Sequence, residues 1–310
     1  MNKTKFLQTT LRLLTVALLT GAMASCAAKG GVGDEENSSL AATGVSTQGT
    51  DKTDGKVRTV SLAAFNGIYN NGIVAIHFTQ GDTQSVRVKD AKNNHVTLQV
   101  EDHALFIDFE GHDQLEKREL GTYSTPDSKR LRKPEVAFSH TEDIDTAQVW
   151  ITLPKLELLE NMGQLYLRGA ILKGDVFLLK NSGVCSFAIK KVKMADFKSR
   201  NTGVCNLSGQ LETTTADFQN DGVVNEDLQI KAKKLTVRNK GVGNTDTKFN
   251  GGSLELSNTG VGNLSYQVQC ESLEADNSGV GNVTLSGTAD QTKFNSSGEA
   301  SIDTSELNQL

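Results

Sequence analysis

Proline is nearly absent, with 3 in 310 residues against 29 glycines. A chain so poor in proline can run through many strands without the ladder gaps that proline makes, while glycine supplies corners. Aromatic residues make up 5%, with a single tryptophan. That argues against a bulky sandwich core and for a thin interior filled by aliphatic and small side chains. No stretch keeps a 3.6-residue apolar period, and hydrophobic residues still reach 37%. Collagen, coiled coil and wholesale disorder are excluded, and an all-β protein is expected.

The chemistry that enzymes advertise is also missing. No Gly-x-Ser-x-Gly elbow, phosphate loop or Glu-x-x-His pair occurs. The five histidines, His77, His95, His103, His112 and His140, lack metal-ligand spacing and read as exposed strand or loop residues. Asp196, Asp217 and Asp276 fall out of register with the repeat described below, so they form no evident acid–base pair. No catalytic residue, metal site or cofactor is expected.

Lys3, Lys5 and Arg12 precede an apolar stretch, Leu13 to Ala24, too short to span a bilayer and closing on small residues before Cys26. Residues 1–25 thus read as a secretory signal. Met23-Ala24-Ser25-Cys26 resembles the bacterial lipobox, which implies that Cys26 is lipidated and becomes the mature N-terminus; a plain signal peptide is the alternative. Loss of those three cations deepens the net charge from −5 to −8, which disfavours nucleic acid as a partner. Residues 26–55 are rich in Gly, Ser, Thr and acids and read as a flexible tether. Its Asp34-Glu35-Glu36 run is similar to surface-export signals of Bacteroidetes lipoproteins, or is simply solvated linker.

Between residues 56 and 110 apolar residues alternate with polar ones, as in Val74, Ile76, Phe78 and Leu105, Ile107, Phe109. These are strands with one buried face. Asn71-Gly72, Gly81-Asp82 and Asn93-Asn94 supply turns between them. Residues 111–146 lose the alternation and read as a long polar loop, functional or a disordered insertion.

From residue 161 an Asn-x-Gly anchor recurs. Its asparagines are Asn161, Asn181, Asn201, Asn220, Asn239, Asn258 and Asn277, and its glycines are Gly163, Gly183, Gly203, Gly222, Gly241, Gly260 and Gly279. The spacings are 20, 20, 19, 19, 19 and 19, with an imperfect eighth copy at Asn295. A fixed period of this size marks a solenoid, in which each turn buries its apolar face on its neighbours. Period-two apolar or small residues flank the anchors, for example Leu235 and Val237 before and Cys205 and Leu207 after. The units are therefore strands throughout, and residues 147–310 are expected to form a single-stranded parallel β-helix of about 19 residues per coil. No hexapeptide pattern supports a left-handed winding, so a right-handed one is expected.

The anchor asparagines share the inward phase and should stack amide on amide in a structural ladder. The glycines two residues on are expected to supply positive φ at a corner. Cys185 and Cys205 hold one position in successive coils, within reach of a disulfide or stacked as free thiols.

The Gly-Val-Gly-Asn strings at 241, 260 and 279, the segment Val149-Trp150-Ile151-Thr152-Leu153-Pro154-Lys155-Leu156 and the Asn-Gly-Ile-Val start at 71 resemble the bacterial family of auto-transporter adhesins with a head GIN domain. The resemblance covers roughly residues 57–300 and implies a secreted or lipid-anchored β-helical protein. The expectation is an envelope lipoprotein at the outer membrane or cell surface, held by its N-terminal lipid, that binds a glycan or a protein without catalysis. A carbohydrate-active enzyme and a self-assembling scaffold are the alternatives. As platforms for sugar, Trp150, Tyr123, Tyr166 and Tyr266 are a thin supply. Oligomeric state is left open.

Overall fold

A computed structural model describes residues 55–92, 94–109, 146–297 and 299–309, which lie in one unit, Val45–Leu310. The leader, Cys26, the tether up to residue 54 and all but the last residue of the 111–146 loop, with Tyr123, His112 and His140, lie outside the described residues.

The described chain is all strand and turn. Strands β8 (Leu158–Asn161), β9 (Gln164–Lys173), β10 (Val176–Asn181) and β11 (Val184–Asn201) open the regular stack. It continues through β12 (Val204–Asn220), β13 (Val223–Asn239), β14 (Val242–Asn258), β15 (Val261–Asn277), β16 (Gly281–Ser296) and β17 (Ala300–Gln309). From β8 onward every pairing between coils is parallel and joins equivalent positions one period apart. Coils of about 19 residues make a β-solenoid of about 8 turns.

One detail of the spacing has a structural origin. β11 and β12 pair from Val184↔Val204 to Ile189↔Gly209, then resume at Lys191↔Gln210, leaving Lys190 as a one-residue bulge. The extra residue of the 20-residue coils is absorbed there.

Inward residues form columns along the axis. Phe177, Phe197, Ala216, Leu235, Leu254 and Leu273 stand one above another beside a second column of Leu179, Ser199, Phe218, Val237, Leu256 and Ala275. Ring centroids are 5.8 Å apart for Phe177–Phe197 within the first column and 5.4 Å for Phe197–Phe218 between the two. Within β13 the buried phase runs Val224, Glu226, Leu228, Ile230, Ala232 and then shifts by one to Leu235, Val237, Asn239. The pairing with the coils on either side pauses at Lys233 and resumes at Lys234 in the same register.

The N-terminal segment does not simply precede the stack. β2 (Gly67–Asn70) and β3 (Ile73–Gln80) form a coil wedged between two others. On one side they pair parallel with β8 and β9. On the other they pair parallel with β6 (Ala104–Phe109) and β7 (Ala147–Leu153). The outermost coil is therefore later in sequence than the one it covers. Three antiparallel strands blunt its edge: β4 (Ser85–Lys89) on β7, β1 (Arg58–Val60) on β4, and β5 (Val96–Glu101) on β6. A parallel edge left open would be a template for pairing with other chains.

Turn chemistry departs from expectation at two places. The tight β5–β6 hairpin turns on Asp102-His103, both at positive φ (48° and 60°), with Glu101 and Ala104 paired across it. That is the two-residue turn whose twist matches its strands. The seven anchor glycines, Gly163, Gly183, Gly203, Gly222, Gly241, Gly260 and Gly279, do not have positive φ, contrary to the sequence-based expectation. Their role is steric. A Cβ on any of them would fall under 3.0 Å from the carbonyl oxygen of the equivalent glycine one coil earlier. The backbone can pack coil on coil at that corner when no side chain intervenes.

Candidate binding surface

Asn161, Asn181, Asn201, Asn220, Asn239, Asn258 and Asn277 are buried and stacked. Each Nδ2 donates to the Oδ1 of the next, at 2.8 Å from Asn161 to Asn181, 2.7 Å from Asn220 to Asn239 and 2.9 Å from Asn258 to Asn277. An eighth rung, not anticipated from the repeat, is Asn70, whose Nδ2 donates to Asn161 Oδ1 at 2.7 Å. It belongs to the same Asn-x-Gly motif, Asn70-Asn71-Gly72, but lies 91 residues before Asn161, and that interval hides it from a search for fixed spacing. At the other end the register puts Ser296, not Asn295, opposite Asn277. Asn295 faces outward and donates to Asp276 at 3.2 Å. The imperfect eighth copy is thus not a rung.

Cys185 and Cys205 are register partners and free thiols, as is the buried Cys270. The Cys185 contact and burial push the Cys205 thiol up, so it stays protonated at neutral pH.

A polar cluster distinct from the asparagine spine lies in the lumen. Glu226 occupies the column of Leu207, Thr245 and Leu264, beside a cavity of about 10 Å³. Burial raises its carboxyl from 4.5 to about 7. The hydroxyls of Thr245, Thr247 and Tyr266 are buried, Tyr266 close enough to Thr245 for the two to interact, and none meets full hydrogen-bond geometry with a partner among the described residues. Tyr266 is fully buried, so it offers no platform to an external ligand.

The acids of the outer surface are dispersed. Asp217 accepts from Arg200 at 2.6 Å and from Arg238 at 3.2 Å, Asp196 from the Thr215 hydroxyl, and Asp276 from Asn295. Among the described residues no three His, Cys, Asp or Glu side chains gather as a metal site. His77 is half-buried rather than exposed, hydrogen-bonded to Gln148 at 2.7 Å and stacked on Trp150 with ring centroids 5.3 Å apart. The other face of Trp150 carries the Arg87 guanidinium, 5.7 Å from the ring centre. Tyr69 and Phe106 likewise stack at 4.8 Å. Trp150, Tyr69 and Phe106 thus each give a ring face to a neighbouring side chain.

Outward residues repeat as regularly as inward ones. Asn206, Asn225, Asn244, Asn263 and Asn282 form an outer row in register, with Asn225 donating to Asn206 at 2.8 Å and Asn244 to Asn225 at 3.4 Å. Two rows further along the coil enclose a groove of about 710 Å³ across β11–β16. One is Gln210, Gln229, Lys248 and Gln267; the other is Glu212, Lys231, Asn250 and Gln269. Neighbouring amides hydrogen-bond along the rows, Gln210 to Gln229 at 3.4 Å and Asn250 to Gln269 at 2.9 Å.

Glu212 is held by Lys193 at 2.8 Å and Lys191 at 3.6 Å, contacts that lower its carboxyl below the usual range. Lys231 and Lys248 have no ion pair or hydrogen bond among the described residues. The groove was not anticipated from the sequence, although its rows carry the same 19-residue spacing as the anchors.

A parallel solenoid with a stacked amide spine and a periodic polar outer face defines a class of rigid display scaffold. Residues 64–250 and 244–309 match the family described as putative auto-transporter adhesin, head GIN domain, and the chain belongs to that family. No curated protein matches it. Its fold is similar to that of a crystal structure described as a putative adhesin from Parabacteroides distasonis, at 17% identity and TM-score 0.54, covering 80% of this chain and 98% of that one. A putative adhesin from Bacteroides fragilis matches at 19% identity and TM-score 0.49, covering 80% and 95%. A protein described as a putative lipid binding protein from Parabacteroides distasonis matches at 14% identity and TM-score 0.48, covering 81% and 97%.

Proposed function

We propose that this protein is a non-catalytic binding or adhesion module of the bacterial cell envelope, lipid-anchored through Cys26 at the outer membrane or cell surface. Its outer face contacts a glycan or a protein. The observation that carries this reading is the groove across β11–β16, whose polar side chains repeat coil by coil on a fully paired scaffold. Such a surface binds without ordering a loop, which lowers the entropic cost of association. Family membership supports an envelope location.

Two experiments test it. Cys26→Ala should move the protein from the membrane fraction to the soluble one, and protease added to intact cells should cleave the wild type. The purified mature chain should retain glycans or surface proteins in array and pull-down assays. Blank arrays and pull-downs together would sink the binding reading. Protection from protease would put the module on the periplasmic side.

A further inference from the structure

We propose that the groove across β11–β16 takes a linear anionic polysaccharide lying along the solenoid axis, its carboxylates on Lys231 and Lys248 and its hydroxyls on the Gln and Asn rows. The proposal deepens the binding function above and rests on it.

Four observations narrow the ligand to this class. The groove follows the axis from Gln210 on β12 to Thr288 on β16, about 19 Å at the usual strand spacing. It therefore suits an extended polymer whose units repeat. Its walls are primary amides that both donate and accept, a match for sugar hydroxyls.

Its charge runs against that of the chain. The sequence is net −5, yet the one lining carboxylate, Glu212, is already paired with two lysines while Lys231 and Lys248 are free among the described residues. An unpaired ammonium beside an amide row favours a sugar bearing a carboxylate over a neutral one.

The alternatives lack their usual footholds. Neutral sugars and nucleobases both rely on exposed aromatic faces. Phe249 is the one aromatic lining residue, and it is buried in the lumen. Trp150 has both faces covered, by His77 and Arg87. An extended peptide gains affinity by adding to a free strand edge, and β12–β15 are paired on both sides along the groove.

The test is calorimetric titration of the mature protein with three probes: an oligogalacturonate long enough to span the groove, a neutral β-linked galactan oligomer of equal length, and a single-stranded oligonucleotide of equal charge. The uronate oligomer should bind, the other two should not, and binding should weaken as salt rises. Lys231→Gln with Lys248→Gln should cut affinity tenfold or more, with an unchanged circular dichroism spectrum because both side chains are exposed. Lys198→Gln, at an exposed site outside the groove, should leave it unchanged.

Equal binding of the neutral oligomer, binding of the oligonucleotide, or full affinity in the double variant would overturn the proposal. Binding to none of the three, while pull-downs still retain a surface ligand, would remove the ligand class and leave the module. Failure of both assays would remove both readings.

Discussion

At the corner glycines a single methyl group separates two explanations. Gly222→Ala places a Cβ against the Gly203 carbonyl, so the coils must part, and a loss of about 1–3 kcal/mol is expected. Gly72 has the same motif position, but its nearest contacts to an added Cβ are at 3.7 Å; Gly72→Ala should change stability by less than about 0.5 kcal/mol. Urea unfolding of the two variants checks this, and equal losses would point back to a conformational role. Glu226 makes a second residue-scale prediction. Its folded pKa, about 7 against 4.5, means that the folded state binds the extra proton. The Glu226 contribution to stability is then fully present below about pH 4.5, is lost as pH rises to about 7, and is flat above, a span of about 3 kcal/mol. Cys205 and Tyr266, the titratable groups that feel its charge, have raised pKa values and stay neutral throughout, and Arg238 at the cavity wall is paired with Asp217. Glu226→Gln should remove this slope and be the more stable protein at pH 8, as the difference between wild-type and variant urea midpoints would show.

Among the elements, burial of the strands predicts how each behaves. β11 to β15 are hydrogen-bonded on both sides and alternate buried with exposed residues, whereas among the described residues β17 pairs with β16 alone and has no fully buried residue. Residues 290–296 of β16 are also largely exposed, Phe294 at 37%. Amide hydrogen exchange should therefore be fastest in β17 and the second half of β16 and slowest in β12–β14, by at least a hundredfold. Uniform protection along the stack would refute local fraying and imply a cooperative unit reaching the last coil. The strands of the repeat were legible because period two and the Asn-x-Gly spacing point to the same segments. The placement of β2 and β3 between two other coils was not, because β6 and β7 reach them across chain separations that no local pattern records.

For the molecule as a whole, stability is a sum of contacts between neighbouring coils, and its two ends differ. Antiparallel β1, β4 and β5 close the N-terminal end, while β17 leaves an edge among the described residues. The sequence by itself determined the solenoid, because a coil that cannot bury its own apolar stripe repeats that stripe at a fixed interval. It determined the asparagine spine as well, because amides one period apart and in the inward phase can satisfy each other. Tertiary structure alone decided three things. Asn70 joins the spine because a distant coil comes into register with it. The anchor glycines are needed for the carbonyl stacked against them rather than for their own torsions, since that carbonyl belongs to another coil. The groove forms because lysines and amides nineteen residues apart stand in rows on the outer face, where pattern reading registers only polarity.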